Sequence, residues 1–111
     1  IAAVHKLAVS TAALLTDRPL GVEKVIVDDG YVGAGYGQPT EGTLDAIKLV
    51  ARREGLLFDP VYSAKGLAGM IGLIGQNYFG KDQNVVFLHT GGAAALFAYG
   101  DQIATSAASG T

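Results

Sequence analysis

Apolar residues recur at helical spacing in three stretches, with short β-branched runs between them. In residues 1–15, IAAVHKLAVSTAALL, the positions Val4, Leu7, Ala8, Thr11, Leu14 and Leu15 fall on one face and predict the tail of a helix entered partway through. A signal peptide is the competing reading, against which stands the lack of a basic leader, with only His5 and Lys6 inside the run. Asp17-Arg18-Pro19-Leu20-Gly21 then breaks the helix. In LDAIKLVARREG, Leu44, Ile47, Val50 and Ala51 make an apolar face with Leu49 off phase, opposite Asp45, Lys48, Arg52 and Arg53. Thr40 or Thr43 is placed to cap this helix, and Gly55 stands where a left-handed C-cap belongs. Ser63 opens the third stretch, AKGLAGMIGLIGQNYF, with glycines at 66, 69, 72 and 75. Each glycine costs a helix roughly 0.5–1 kcal/mol relative to alanine, so four on nearly one face imply close approach of another backbone. A membrane dimerisation face is the alternative, but the run is too short and interrupted for it.

Two runs read as buried strands: Val25-Ile26-Val27, bounded by Asp28-Asp29-Gly30, and Val85-Val86-Phe87-Leu88. Leu56–Tyr62 is a short extended segment, and AAALFAYG after His89-Thr90-Gly91-Gly92 starts a further helix. The tail TSAASGT is polar and is expected to fray. The order is helix, strand, helix, extended segment, helix, strand, helix. Such alternation predicts an α/β fold of three layers with a mostly parallel sheet.

Composition changes the picture in one respect. The chain has 111 residues, 50% hydrophobic and 16% charged, with 16 glycines and no cysteine. About 25% charged is usual, and a small domain should be more polar than average, not less. The chain therefore reads as one domain that is a piece of something larger, with apolar faces meant for further chain or a partner. A net charge of -2 gives no basic surplus for nucleic acid. Without cysteine there are no disulfides, thiolate zinc sites or thiol nucleophile, which fits a cytoplasmic protein. No apolar stretch reaches the roughly 20 residues of a membrane span.

Ligands of open α/β sheets collect beyond the carboxyl ends of strands, and three loops qualify: Asp28–Thr43, Tyr62-Ser63, and His89–Gly92. The first holds five glycines between residues 30 and 43, a length of irregular chain that is uncommon unless functional or disordered; Tyr31 and Tyr36 argue against disorder. The last leads into a helix and can hold an anion or a polar ring atom on its backbone N–H groups, or simply make a tight turn. Its spacing is not that of a dinucleotide fingerprint. His89 is placed either to donate to a ligand or to bond backbone, whereas His5 has no partner at metal spacing. Adjacent Asp28 and Asp29 would point to opposite faces of a strand and suit loop capping better than a metal. Lys65 has the chemistry of a Schiff-base lysine but no sign of the desolvated setting one needs, which favours a surface or capping role. Tyr36 and Tyr62 are the more informative pair, since both phenols fall in loops rather than on apolar faces.

The strings YGQPTEGTLDAIKLVARREGLLFDPVYSAKGLAGMIG and VVFLHTGGAAALFAY resemble the C-terminal third of the D-cysteine desulfhydrase and 1-aminocyclopropane-1-carboxylate (ACC) deaminase family. These are pyridoxal-phosphate (PLP) enzymes of the tryptophan-synthase-β fold type. The resemblance covers about Val25 to Tyr99 and implies that residues 1–111 are a C-terminal portion of the large cofactor domain. Tyr36 in Tyr-Gly-x-Pro and Tyr62 in Asp-Pro-Val-Tyr resemble the family's two active-site tyrosines, which contact the substrate on the cofactor and serve proton transfer. Ser63 stands where ACC deaminases carry glutamate, and Thr90 where they carry leucine and desulfhydrases threonine. The resemblance thus implies cofactor contacts from Ser63, Thr90, Gly91 and Gly92.

A neutral hydroxyl does not favour a charged pyridinium as a carboxylate does, and ring opening of a cyclopropane asks more of the electron sink than loss of a good β-leaving group. Ser63 and Thr90 therefore favour a carbon–sulfur lyase: D-cysteine desulfhydrase, with L-cysteate sulfo-lyase or ACC deaminase as alternatives. The departures, Ala94 for proline and Ala64 for glycine, remove no functional group. The family's Schiff-base lysine, nucleophilic serine and phosphate loop belong to its upstream two-thirds, so the resemblance implies a missing N-terminal part, a homodimer, and no activity from this stretch alone. A rival of another class is a non-catalytic remnant, or the partner half of a split enzyme.

Overall fold

Helix α2 spans Glu41–Glu54 and is built as its sequence predicts. The Thr40 hydroxyl accepts from the Thr43 N–H at 3.1 Å, and Gly55 closes the far end in the left-handed region at φ 67°. Its apolar face packs against α3, Ser63–Gly75, which stops short of the Gln76–Phe79 end of the predicted stretch. Ala46 and Ile47 of α2 meet Phe58, Ala64 and Leu67 in a small core, with Met70, Phe87, Leu96 and Ile103 packed around it. The N-terminal helix α1, Ala2–Leu15, buries no residue and is tied in by His5 Nε2 at 2.7 Å from Val25 O, a packing role for that histidine. The computed structural model describes residues 1–106. Of the tail expected to fray, residues 107–111 lie outside the described residues.

The predicted three-layer α/β fold with a parallel sheet is overturned: the described residues contain helices and irregular chain, and no strand. Val25–Val27 and Val85–Leu88 run without regular structure, and neither is joined to another described segment by a backbone ladder. A strand exists only by pairing, whereas a β-branched run records only a preference for a pleated, half-buried surface. Without a partner strand, Ile26, Val85, Val86 and Leu88 stay in solvent, Ile26 75% and Val86 88% exposed. The helix expected at AAALFAYG is a seven-residue 3-10 helix, Ala93–Tyr99, followed by α4, Gly100–Thr105. Lys48 of α2 reaches the Ser106 carbonyl and hydroxyl, holding the end of α4 against α2.

The glycine face of α3 is used, though not by another backbone. The Tyr31 ring lies on it: a Cβ built on Gly69 would meet Tyr31 Cδ2 at 3.2 Å, and one on Gly72 would meet Cζ at 2.9 Å. Phe87 lies beside Gly66 at 3.6 Å by the same measure. Between these rings, Met70, Leu73 and Val86 is an apolar cavity of about 470 Å³. Asp28 caps its loop, accepting from the Gly30 N–H at 2.9 Å. No helix among the described residues is long and apolar enough to cross a membrane.

Candidate active site

The site is assembled by three loops that the helices hold together. The first is the turn Asp59-Pro60-Val61-Tyr62-Ser63, which leads into α3. Proline fixes its own φ, and an aspartate ahead of it can bond the backbone N–H groups that follow. Asp59, 2% exposed, does so with both oxygens. Oδ2 accepts from the Val61 and Tyr62 N–H groups, each at 2.8 Å; Oδ1 accepts from the Ser63 N–H at 2.8 Å and the Ser63 hydroxyl at 2.6 Å. The Asp59 N–H donates back to Ser63 Oγ at 3.0 Å. Burial pushes this carboxyl upward, but the Ser63 hydroxyl and the three N–H groups outweigh it and hold the acid below its ordinary 3.8. The turn ends with Tyr62 directed outward at the start of α3.

The second loop carries Tyr36 between two anchored carbonyls. Lys65 of α3 donates to Val32 O and, at 3.1 Å, to Gly35 O, and the Tyr99 hydroxyl donates to Gly37 O at 2.8 Å. The surface reading of Lys65 is therefore corrected: its ammonium is buried against the glycine-rich loop, where it satisfies carbonyls that have no ladder to join. Tyr36 and Tyr62 meet, the Tyr62 hydroxyl donating to Tyr36 Oη at 2.7 Å with ring centroids 5.7 Å apart in an edge arrangement. The hydrogen bond to Tyr36 is the first cause that lifts the Tyr62 phenol above its ordinary 10; lesser contributions come from burial and from the nearby Tyr36 and Asp59 charges. With Tyr62 donating inward, the proton of Tyr36 is the one left to offer.

The third loop is His89-Thr90-Gly91-Gly92. His89 Nδ1 accepts from the Gly91 N–H at 3.0 Å, so Nε2 carries the proton that reaches Leu57 O at 2.8 Å. Its ring stands 4.2 Å from that of Phe58. Of the two roles open to it in sequence, His89 takes the packing one. Gly91 and Gly92 are both left-handed, at φ 93° and 89°. Gly92 also lies against the first loop, since a Cβ there would sit 3.0 Å from Asp59 Oδ1. Thr90 is exposed, and its hydroxyl makes no hydrogen bond among the described residues.

The structure thus brings Tyr36 to Tyr62, and Gly92 to the turn of Tyr62 and Ser63. It does not leave the Ser63 proton free, because that hydroxyl is buried, donates to Asp59 Oδ1 and accepts from the Asp59 N–H. Asp59 and Tyr99 are organising residues that the sequence reading did not single out. The one available signal was the Asp-Pro dipeptide four residues before a helix-opening serine.

The family model described as pyridoxal-phosphate dependent enzyme matches residues 3–91, most of the chain. The chain belongs to the pyridoxal-phosphate dependent enzyme family. Its cofactor is accordingly PLP, and the donors at hand fit one end of it. A free neutral hydroxyl on Thr90, on a loop opened by two left-handed glycines, suits a ring nitrogen. The Lys65 ammonium, committed to two loop carbonyls, does not suit a carbonyl-trapping role. In this member of the PLP-dependent family, then, the described residues supply phenols and a hydroxyl. Among them no group of three His, Asp or Glu side chains is placed to hold a metal.

Proposed function

We propose that these 111 residues are part of a PLP-dependent carbon–sulfur lyase and that its reaction is β-elimination of D-cysteine, which with one water gives pyruvate, ammonia and sulfide. The observation that carries the reading is the phenol pair: Tyr36 and Tyr62, 26 residues apart in sequence, share a 2.7 Å hydrogen bond while both remain exposed. When bound, PLP supplies an electron sink for charge developed at the substrate α-carbon. Tyr36 offers a proton to the departing sulfur. Tyr62, hydrogen-bonded behind it, stabilises the oxygen from which that proton leaves. Thr90 would hold the ring nitrogen with a neutral hydroxyl, which would keep the sink modest and suit a good leaving group better than a strained ring. The remaining machinery is assigned to sequence outside these residues, and the enzyme to a cytoplasmic homodimer. The exposed apolar faces of Ile26, Val86 and Leu88 support a larger assembly.

The test is the visible spectrum of the complete polypeptide that carries these residues, recorded with PLP before and after D-cysteine, with sulfide assayed. A shift or bleaching of the cofactor band with sulfide release is the expected result. A bound cofactor that ignores D-cysteine but answers L-cysteate or ACC would move the substrate and keep the enzyme class. No cofactor band would refute the reading.

A further inference from the structure

The Asp59 carboxylate ties up the first loop of the site and lies against the third. It accepts every N–H of Val61, Tyr62 and Ser63, takes the Ser63 hydroxyl proton, and lies against Gly92. Tyr62 itself has few constraints beyond this, being an exposed side chain at a helix start with no cap of its own. We infer that Asp59 is a positioning residue for the tyrosine pair, fixing the turn from which Tyr62 reaches Tyr36, and that Ser63 acts as its lock, leaving the cofactor-facing hydroxyl to Thr90. The geometry gives Ser63 no spare proton: its hydroxyl donates to Asp59 Oδ1 at 2.6 Å and accepts from the Asp59 N–H at 3.0 Å. To bond a ring nitrogen it would have to abandon an ionised carboxylate for a neutral acceptor, a poorer partner. The raised proton affinity of Tyr62, due first to Tyr36, is the property such positioning would sustain. This inference rests on reading Tyr62 as an active-site phenol, but its test does not need turnover.

The experiment is a double-mutant cycle read by NMR on the complete polypeptide that carries these residues, labelled at tyrosine Cζ, with the Tyr62 resonance assigned by its loss in Tyr62→Phe. Tyr36→Phe should bring the Tyr62 titration down toward the ordinary phenol range, and that drop measures the coupling of the pair. In Asp59→Asn, an amide NH2 faces N–H donors where a carboxylate oxygen accepted them, so the turn is released. Tyr36→Phe should then leave Tyr62 unmoved. Cycling Tyr36→Phe within each background separates positioning from the simple loss of the Asp59 charge, which shifts Tyr62 equally with and without Tyr36. Full coupling retained in a folded Asp59→Asn chain would overturn the inference. Should that variant fail to fold, Ser63→Ala decides: coupling reduced supports the lock, coupling unchanged overturns it. A polypeptide that passes this test while ignoring D-cysteine would keep Asp59 in its role and discard only the proposed substrate.

Discussion

Asp59 is the residue whose ionisation the folded chain most clearly exploits. Its carboxyl is held below its ordinary 3.8, so the stability it contributes is fully present above that value and is lost as the pH falls through the lower folded value. Asparagine imitates the protonated acid. The gap in urea midpoint between wild type and Asp59→Asn should therefore be widest at neutral pH, on the order of 2 kcal/mol for hydrogen bonds to a buried charge, and should narrow progressively below pH 3.8. A gap that stays constant into acid would mean that the carboxylate form is not what the turn requires. Residues differ in how far their roles can be read from sequence. Tyr36 and Tyr62 stand out as phenols in loops, and the Thr40 cap follows from local spacing. Asp59 does not stand out, because an aspartate before proline is ordinary turn punctuation until the bonds it accepts are seen. Lys65 misleads for the opposite reason: lysines are rarely buried, and only the tertiary fold brings two unpaired carbonyls within its reach.

At the scale of elements, α2 and α3 were both legible, since helical periodicity and caps are written within a dozen residues. The strands were not, because a ladder needs a second strand that no local pattern supplies. The glycines of α3 fall between these cases. Their stripe correctly marks a close approach, but what approaches is a tyrosine ring from a loop more than thirty residues upstream. Two of them should therefore respond oppositely to alanine. Gly72→Ala puts a methyl where the Tyr31 phenol lies, so the ring must leave its groove and any gain in helix propensity is spent on lost packing. Gly75 has nothing within 4 Å of its would-be methyl, and Gly75→Ala should stabilise by about 0.5 kcal/mol. Near-UV circular dichroism distinguishes them: the tyrosine signal should weaken in the first variant and persist in the second. Unchanged spectra in both would mean that Tyr31 is not seated on α3.

For the whole molecule, the decisive quantity is how much surface it shows. The accessible area is 8188 Å² for 11.4 kDa, against about 5,800 Å² for a compact monomer of that mass. The radius of gyration is 16.0 Å where about 13 Å is usual for some 100 residues. The high apolar share read from composition is thus not absorbed into a large core. It remains outside, on Val85, Val86 and Leu88, at Ile26 and on Phe97. Membership of the broad pyridoxal-phosphate dependent enzyme family was recognisable from sequence because strings of particular residues carry it. The architecture was not, because layers and sheets depend on pairings that strings alone do not make.

Extended chain that is seated by aromatic rings instead of by a ladder has its order and its solvent shielding decoupled. Tyr31 and Phe87 lie against α3, yet the amides of Val25–Val27 and Val85–Leu88 have no inter-strand acceptors among the described residues. Deuterium should therefore enter these segments at nearly the rate of an unstructured peptide, while the amides inside α2 and α3 exchange slowly. Peptide-level exchange read by mass spectrometry would show it as a sharp step at Thr40 and again beyond Gly75. Slow exchange across 85–88 would require acceptors there that the fold described above does not provide. To an observer counting deuterons, these segments would look denatured while Tyr31 and Phe87 keep their places on α3.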